Sequence, residues 1–368
     1  MERMNLLLLL ACSPLVMRAQ PLTPVLLTEL PLPQQEVSGM LSVNGMIWTC
    51  LDSGNPNRLY QVDTVSGDVL RELELTNASN VDWEEVTTDG TWVYVGDFGN
   101  NAGARTDLRV YRFPLEALSG ESGAVEVDTI RFHYVDQTDF TPMVDGTNWD
   151  AEAFLALDDS LFLFTKNWVD ERTHLYTFPA HPGDQAAVRR DEFDAQGLIT
   201  GAVRDPLGDI VLLGHTREGT EPFVWTMRSP DEHMLFSGTN TRHPLTVSPL
   251  QAEAVGCLAQ GRLIIGNERT LEQEQALWTV TPPVGIGDRE NAHERVRIFP
   301  IPADRQVRVE GADPGRPARI LGSNGAVLGA VVVGSEGVMD LPLLPAGEYV
   351  LDLSIRSERC RLPLVISH

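Results

Sequence analysis

The chain has 368 residues, of which 42% are hydrophobic and 22% charged. This composition gives room for two packed domains and excludes wholesale disorder or a fibrous repeat. It has 28 Lys and Arg against 52 Asp and Glu, a formal net charge of −24. That charge argues against nucleic acid or an anionic membrane surface as a partner, because no net field would attract a polyanion. It fits an extracellular protein or one that binds cations.

The first 19 residues predict an export signal peptide. Arg3 supplies a positive start, Leu6 to Val16 form the apolar segment, and Ala19 offers a cleavage site. The apolar run is too short to span a bilayer, and no later segment reaches 18 apolar residues, so we expect no transmembrane segment in the mature chain. Two processing routes stay open: cleavage near Ala19, or acylation at Cys12 within a lipoprotein-like box.

Residues 24–283 contain a repeat with a period of about 50 residues. Each repeat opens with an acidic or small polar residue at the start of a short strand, and a second, apolar strand then ends in a polar residue. The openers are Glu36, Glu85, Glu152, Thr200 and Glu253. The polar residues that end the second strands are Asp52, Asp97, Lys166, His215 and Glu268. A third strand follows in each repeat, and helical periodicity is nearly absent.

A unit of about 50 residues with three or four short strands is typical of a β-propeller blade. The sequence therefore predicts an all-β fold, a β-propeller in which five blades are favoured and six are possible. The sixth would be a degenerate blade inside the long second repeat (85–150). The last repeat has room for only three strands, so we expect Val25–Leu30 to supply the fourth and close the ring.

The C-terminal part has a different pattern. A polar linker at 284–294 lacks hydrophobic periodicity. Short alternating strands separated by turns then predict a small C-terminal β-sandwich over residues 295–368.

Three motifs in this C-terminal part occur in a fixed order. They are Ile298–Ala303, Ile320–Gly325 and Leu344–Leu351. Together they resemble the type-A C-terminal sorting domain of type IX secretion, although Ile301 stands where that family usually has Asn. The resemblance implies the type IX secretion machinery as a partner through residues 295–368, and a location outside the cell or on its outer surface. A fibronectin-like accessory domain is the alternative.

A second resemblance covers residues 35–283. Its motifs are Asp82-Trp83-Glu84-Glu85-Val86, Gly96–Asn101 with Arg105, Asp150–Ala153 and Thr165–Asn167. They resemble a family of exported bacterial β-propellers, loosely similar to the esterase-like phytase propellers. The resemblance implies the propeller fold, but it implies no defined chemistry, because one fold hosts many activities.

The opening strands of a propeller line its central channel, so carboxylates at their starts should converge. The four converging glutamates would be Glu36, Glu85, Glu152 and Glu253. Crowded carboxylates raise one another's pKa unless positive charge compensates, and Ca²⁺ prefers such oxygen ligands. We therefore predict an axial Ca²⁺ site. The alternatives are that these groups accept hydrogen bonds from backbone N–H groups or pair with basic side chains, or that a one-residue slip turns them away.

Further candidates surround these glutamates. Asp97 and Asn101 would bind a metal and Arg105 an anionic ligand, or else they form a loop buttress with Arg105 paired to Asp97 or Asp107. Lys166 would bind a carboxylate or phosphate, or pair with Glu152 or Asp150. Aromatic side chains beside the acidic motifs suit a sugar ligand, or else pack between blades. They are Trp83, Trp149 and Trp168.

Standard catalytic signatures are absent from the sequence, including G-x-S-x-G, H-E-x-x-H and the Walker loop. The leading hypothesis is a secreted or cell-surface binding protein with an axial Ca²⁺ site for a small molecule or glycan. The first alternative is a metal-dependent hydrolase of phosphoesters, esters or lactones, with His215 and Lys166 as catalytic candidates. The second is a metal-free interaction scaffold.

Overall fold

The structure, a computed structural model, describes residues 19–120, 123–205, 208–228, 234–248, 250–258, 262–282, 297–310, 314–322, 326–355 and 358–367. These residues form 28 strands and two short 3-10 turns, Leu32–Gln34 and Leu115–Leu118. None of them lies in a helix long and apolar enough to cross a membrane. The predicted linker and all but the last residue of the predicted signal peptide lie outside the described residues.

Twenty strands, numbered in chain order, form five four-stranded antiparallel units. The first contains β2 (Val37–Val43), β3 (Met46–Leu51), β4 (Arg58–Val62) and β5 (Val69–Leu75), and the second β6 (Trp83–Thr88), β7 (Trp92–Asp97), β8 (Arg109–Pro114) and β10 (Asp128–Tyr134). The third contains β11 (Asp150–Leu157), β12 (Ser160–Lys166), β13 (Thr173–Pro179) and β14 (Gly183–Phe193), and the fourth β15 (Leu198–Arg204), β16 (Ile210–His215), β17 (Pro222–Arg228) and β18 (Thr239–Pro244). The fifth contains β19 (Ala252–Cys257), β20 (Leu263–Asn267), β21 (Ala276–Val280) and β1 (Val25–Glu29).

The five units form a closed ring. The inner strands β2, β6, β11, β15 and β19 pack in that order, and β19 returns to β2. A separate cluster of buried hydrophobic side chains lies between each unit and the next. Because each sheet buries both faces against its neighbours, the fold is a β-propeller. Strand β1 pairs with β21 from Val25↔Thr279 to Glu29↔Ala276, so the predicted closure by the N-terminal strand is confirmed.

The long second repeat does not form a sixth unit in the described residues. Its extra length supplies the two-residue strand β9 (Ala124–Val125), which pairs with the edge of β5, and the outer strand β10. The rest is an irregular segment, residues 135–149, between β10 and β11. Strand β10 also pairs in parallel with β14, from Ile130↔Gly183 to Tyr134↔Ala187, which joins the second and third units through their outer strands.

Each inner strand carries a β-bulge near its start, where its pairing with the second strand of the unit slips by one residue. The extra residues are Ser38, Glu84, Glu152, Thr200 and Glu253. A bulge leaves one residue unpaired and changes the direction of its side chain. The hydroxyl groups of Ser38 and Thr200 accordingly donate hydrogen bonds to carbonyl groups of the next inner strand, those of Trp83 (2.8 Å) and Ala252 (2.7 Å).

Glu85, the residue after the bulge in β6, is completely buried and links inner strands across the channel. Its Oε1 accepts hydrogen bonds from the backbone N–H groups of Met40 (3.1 Å) and Val86 (2.9 Å), and its Oε2 from that of Ala202 (3.2 Å). Met40 lies on β2 and Ala202 on β15, so one carboxyl group joins three of the five inner strands. Beyond it, the far ends of the inner strands enclose a cavity of about 40 Å³.

The C-terminal strands form the predicted sandwich. One sheet contains β22 (Arg297–Phe299), β23 (Gln306–Glu310) and β26 (Val338–Asp340), and the other β24 (Pro317–Leu321), β25 (Val327–Val332), β27 (Gly347–Ile355) and β28 (Glu358–Ile366). Alternating residues of both sheets share one core, with Val307 and Met339 from the first sheet against Ile320 and Leu351 from the second.

Replacing Glu85 with Ala should lower the free energy of unfolding by about 3 kcal/mol or more. Three buried N–H groups would lose their acceptor, and each unsatisfied donor costs about 1–3 kcal/mol. Urea denaturation followed by tryptophan fluorescence measures the change. The control is Glu218→Ala, because Glu218 is exposed and should change stability by less than about 0.5 kcal/mol. A Glu85→Ala protein as stable as the control would show that this carboxyl group does not link the strands.

Candidate functional site

Acidic side chains gather at the end of the channel where the inner strands begin, a region we call the funnel. In each unit the inner strand and the second strand are antiparallel, so the start of the inner strand lies beside the end of the second strand. Asp150, for example, lies opposite Lys166. The funnel carboxyl groups belong to Glu36, Asp52, Asp82, Glu84, Asp150, Glu152, Glu253 and Glu268. The basic side chains among them are Lys166 and His215. Carboxyl groups therefore outnumber basic groups several-fold.

Three of these carboxyl groups form a tight cluster. Asp52, at the end of β3, and Asp82 and Glu84, on either side of Trp83, each place one carboxyl oxygen within 4.8 Å of the others. Glu84 is only 6% exposed. Among the described residues, no donor or basic group contacts its carboxyl group. We call Asp52, Asp82 and Glu84 the acidic cluster; Arg105 offsets part of the negative charge of Asp82, whereas Glu84 has no such group among the described residues.

The electrostatics of the acidic cluster reflect this crowding. Burial, together with the neighbouring Asp52, raises the pKa of Asp82 to about 7. Burial and then the carboxyl groups of Glu152, Asp52 and Asp82 raise the pKa of Glu84 well above its ordinary value. Each group thus binds a proton more readily than it would in water, because burial and the neighbouring carboxylates outweigh the effect of Arg105 on Asp82.

The backbone of the loop after β7 forms one wall of the acidic cluster. A Cβ atom at Gly99 would collide with Oε1 of Glu84 and lie 2.5 Å from Oδ2 of Asp82. A larger residue at this position would therefore displace the carboxyl groups of Glu84 and Asp82. The loop therefore contributes close backbone packing to the site.

The charged side chains of the same loop are used within it. Asp97 is fully buried, and Nη2 of Arg105 donates a hydrogen bond to its Oδ1 at 3.0 Å. Nη1 of Arg105 donates to the carbonyl of Gly99 at 2.8 Å. Asp97 and Arg105 thus stabilise the loop by pairing with each other, which is the predicted alternative to ligand binding. Asn101 is exposed, and its carbonyl accepts a hydrogen bond from the N–H of Asp145 at 3.0 Å.

Lys166 neutralises the third unit's side of the funnel. Its Nζ lies 2.5 Å from Oε1 of Glu152 and 5.0 Å from the centre of the Trp168 ring. Although burial alone lowers the pKa of Lys166, the carboxylates of Glu152, Glu253 and Asp150 raise it above its ordinary value. The indole N–H of Trp168 donates to Oδ2 of Asp150 at 2.8 Å. The predicted alternative for Lys166, an ion pair with Glu152, is confirmed.

His215 of the fourth unit and Glu253 of the fifth form a second pair of a basic and an acidic side chain. Nδ1 of His215 lies 2.6 Å from the carbonyl of Thr216, to which it donates. Its Nε2 lies 3.3 Å from Oε1 of Glu253, but the contact lacks hydrogen-bond alignment. Burial raises the pKa of Glu253, but Lys166 and His215 outweigh this effect and lower the pKa to about 2. Both Nε2 of His215 and Oε2 of Glu253 are buried without a hydrogen-bond partner among the described residues.

Three of the four glutamates predicted to converge, Glu36, Glu152 and Glu253, lie in the funnel, and the fourth, Glu85, does not. The bulge residue of β6 is Glu84, so Glu85 follows it and binds backbone N–H groups instead. Glu36 precedes its bulge by two residues and accepts a hydrogen bond from Nδ2 of Asn55 at 2.7 Å. Glu152 and Glu253 do occupy bulge positions, each beside a basic side chain. Asp97 also differs by one position from the other polar residues predicted at strand ends. It pairs with Trp83, directly before the bulge residue Glu84, whereas Lys166 pairs with Asp150, two residues before the bulge residue Glu152.

No protein-family model matches the chain, and no curated protein matches its sequence. It is similar to the solved structure of a gluconolactonase from Xanthomonas campestris, with 15% identity, 66% of this chain and 70% of that chain covered, and a TM-score of 0.36. It is also similar to a β-1,3-galactosidase of glycoside hydrolase family 43, with 12% identity, coverages of 77% and 58%, and a TM-score of 0.35. A quinoprotein alcohol dehydrogenase-like protein from Bacteroides thetaiotaomicron gives 10% identity, coverages of 85% and 68%, and a TM-score of 0.33. Likeness at this level carries no argument about the chemistry of this chain.

In the presence of EDTA, we expect the melting temperature to fall as pH rises from about 4 to about 7. The carboxyl group of Asp82 has a pKa of about 7 in the folded protein against an ordinary value of 3.8. The folded state therefore binds the extra proton in this interval, and raising the pH removes the stabilisation. Glu253, with its pKa of about 2, acts in the opposite sense, but only below its ordinary pKa.

Scanning calorimetry at several pH values between 4 and 8 measures this dependence. Asp82→Asn should flatten the slope, since the amide does not titrate. Equal slopes in the wild type and in Asp82→Asn would contradict the assignment.

Proposed function

We propose that this chain is an exported β-propeller whose funnel binds a divalent cation, with Ca²⁺ as the expected ion, at Asp52, Asp82 and Glu84. The observation that carries the proposal is the unpartnered carboxyl group of Glu84, which is buried against two further carboxyl groups within 4.8 Å. Burying three like charges together is unfavourable unless a cation or protons neutralise them.

The distribution of basic groups supports this place within the funnel. Glu152 has Lys166 as its partner and Glu253 has His215. The acidic cluster has no such partner for Glu84 in the described part of the chain. A bound cation would therefore gain the most electrostatic stabilisation at the acidic cluster, and the least beside Glu152 and Glu253.

The chemistry of the donors favours a hard cation. The cluster offers carboxylate oxygen atoms and no sulfur or imidazole donor, a set that suits Ca²⁺, Mg²⁺ or Mn²⁺. Ca²⁺ takes six to eight oxygen ligands, more than three side chains supply by single contacts. Oxygen atoms of water or of a small-molecule ligand would complete the shell, and this is how the site would bind a ligand. The proposed route of export, type IX secretion through residues 295–368, is supported by the sequence motifs.

Adding Ca²⁺ to EDTA-treated protein should raise the melting temperature. At a free concentration of about 100 times Kd, binding adds about 2.7 kcal/mol, or about 5–10 °C for a domain of this size. Asp82→Asn and Glu84→Gln should each weaken the Ca²⁺ affinity by about tenfold or more. Differential scanning fluorimetry and calorimetric titration measure both effects.

The matched control is Glu218→Gln, which removes an exposed carboxylate outside the funnel and should leave the Ca²⁺ response unchanged. If neither EDTA nor Ca²⁺ changes the wild-type melting temperature, the metal-free scaffold replaces this proposal. A full Ca²⁺ response in Glu84→Gln would place the ion elsewhere.

A second candidate function, hydrolysis in the same funnel, is favoured by one observation. Nδ1 of His215 donates to the Thr216 carbonyl, so the neutral imidazole has its lone pair on Nε2, and Glu253 lies 3.3 Å away to stabilise the imidazolium. Nε2 is buried, so a proton transfer to it would require the funnel to open locally. A divalent cation bound nearby would polarise a carbonyl or phosphoryl oxygen and acidify a water molecule. Lys166, held protonated beside Glu152, would attract the developing negative charge.

Screening aryl esters, lactones and phosphoesters tests this candidate. Where turnover is found, His215→Asn should lower it by about 10²–10⁴-fold while the Ca²⁺-induced rise in melting temperature is retained. His181→Asn is the control, since His181 is exposed. An inactive wild type, or full activity in His215→Asn, would leave ligand binding as the function of the funnel.

A further inference from the structure

A second cavity, of about 480 Å³, lies away from the funnel on the outer half of the third unit. One wall is formed by Tyr176 and His174 of β13 and by Arg189 of β14, and the other by the segment 135–149 that joins β10 to β11. We call this cavity the flank pocket. Its volume is within the range of sites that enclose a small-molecule ligand.

The second wall is held in place by the loop at residues 101–103. The N–H groups of Met143 and Asp145 donate to the carbonyls of Ala102 (2.9 Å) and Asn101 (3.0 Å). Nε2 of the buried Gln137 donates to the carbonyl of Gly103 at 2.8 Å. These hydrogen bonds fix the second wall of the flank pocket, so binding would require little ordering of the chain.

The lining of the flank pocket combines aromatic rings with polar groups. Trp149 is half-buried and packs on Tyr134 with 5.5 Å between ring centres. The Tyr134 ring in turn lies 4.7 Å from that of Tyr176. Beside these rings lie two carboxylates, those of Asp136 and Asp139. The hydroxyl of Tyr176 donates to Asp136 at 3.0 Å, which fixes the orientation of both side chains.

His174 provides an independent sign of a missing partner. Its Nδ1 is buried and has no hydrogen-bond partner among the described residues. Burial, together with the nearby Arg189, lowers the pKa of His174 below its ordinary value. Because Nδ1 is buried, Nε2 is the ring atom of His174 that a ligand hydroxyl in the flank pocket would reach, and a neutral imidazole nitrogen donates or accepts one hydrogen bond.

We propose that the flank pocket binds a pyranose unit of a neutral glycan. A pyranose has an apolar face of C–H groups, which packs on aromatic rings, and a rim of hydroxyl groups that both donate and accept hydrogen bonds. Trp149 supplies the aromatic surface, whereas Asp139 and His174 supply the partners for hydroxyl groups.

Charge and size argue against the other classes of small ligand. Arg189 lines the pocket, but its guanidinium already pairs with Glu192, and the carboxylates of Asp136 and Asp139 would repel an anion. These carboxylates would attract a compact ammonium group, but such a group would fill only a small part of 480 Å³. A neutral ligand rich in hydroxyl groups is not repelled by the carboxylates and is large enough to fill the pocket.

The experiment measures binding of the trisaccharides maltotriose, cellotriose, mannotriose and xylotriose to the full chain by calorimetric titration. Trigalacturonic acid and choline serve as the anionic and cationic probes. At least one neutral trisaccharide should bind, and Trp149→Phe and His174→Phe should each weaken its affinity by about tenfold. Both variants retain a ring of suitable size, and thermal melts verify that they fold.

The matched control is Trp92→Phe, because Trp92 is also half-buried against the same hydrophobic cluster as Trp149 but lies outside the flank pocket. It should leave the affinity unchanged. Neutral-sugar binding that persists in EDTA supports the proposal, whereas binding lost in EDTA would place the sugar at the funnel and overturn it. Binding of the charged probes only, binding of no probe at all, or unchanged affinity in both pocket variants would also overturn it.

Discussion

The β-bulge at the start of each inner strand is the constraint on which the funnel depends. By leaving one residue unpaired, it changes the direction of a single side chain in every unit. The ring of inner strands brings three of these side chains, those of Glu84, Glu152 and Glu253, close enough to interact. In β11 and β19 this residue is a glutamate beside a basic group, and in β6 it is Glu84 of the acidic cluster. The residue that follows, Glu85 in β6, closes the channel by binding backbone N–H groups of three strands. Neighbouring positions of one strand thus have different roles.

The funnel also separates compensated from uncompensated charge. Lys166 forms an ion pair with Glu152 of the third unit and His215 contacts Glu253 of the fifth, whereas Asp52, Asp82 and Glu84 are left to compete for protons. Two unit charges 4 Å apart interact by about 4 kcal/mol at an effective dielectric constant of 20, so repulsion of this size must be relieved by protons or by a bound cation. A fold that retains such a cluster against its own stability is typical of a functional site.

The fold and most of its strands could be predicted from the sequence. Met46–Leu51, Arg58–Val62 and Ala276–Val280 have the bounds that apolar runs and turn residues indicate. These signals are local, since a strand buried in a propeller needs apolar residues along its own length and a turn at each end. The closing of the ring by β1 followed from counting, because the last repeat lacked a fourth strand. The ion pair of Lys166 with Glu152 was one of two alternatives that the residue types allowed.

The sequence by itself determined that glutamates and strand-end polar residues recur at one end of a ring of similar units. Only the tertiary structure decided which of them meet. Glu84 and Glu85 are chemically identical neighbours, yet one joins the acidic cluster and the other binds backbone N–H groups. The difference arises from the register between strands, which is set by hydrogen bonds to a partner strand and to inner strands far away in the chain. The flank pocket likewise exists only because segment 135–149 folds back over β13, a contact that no local pattern in either segment encodes.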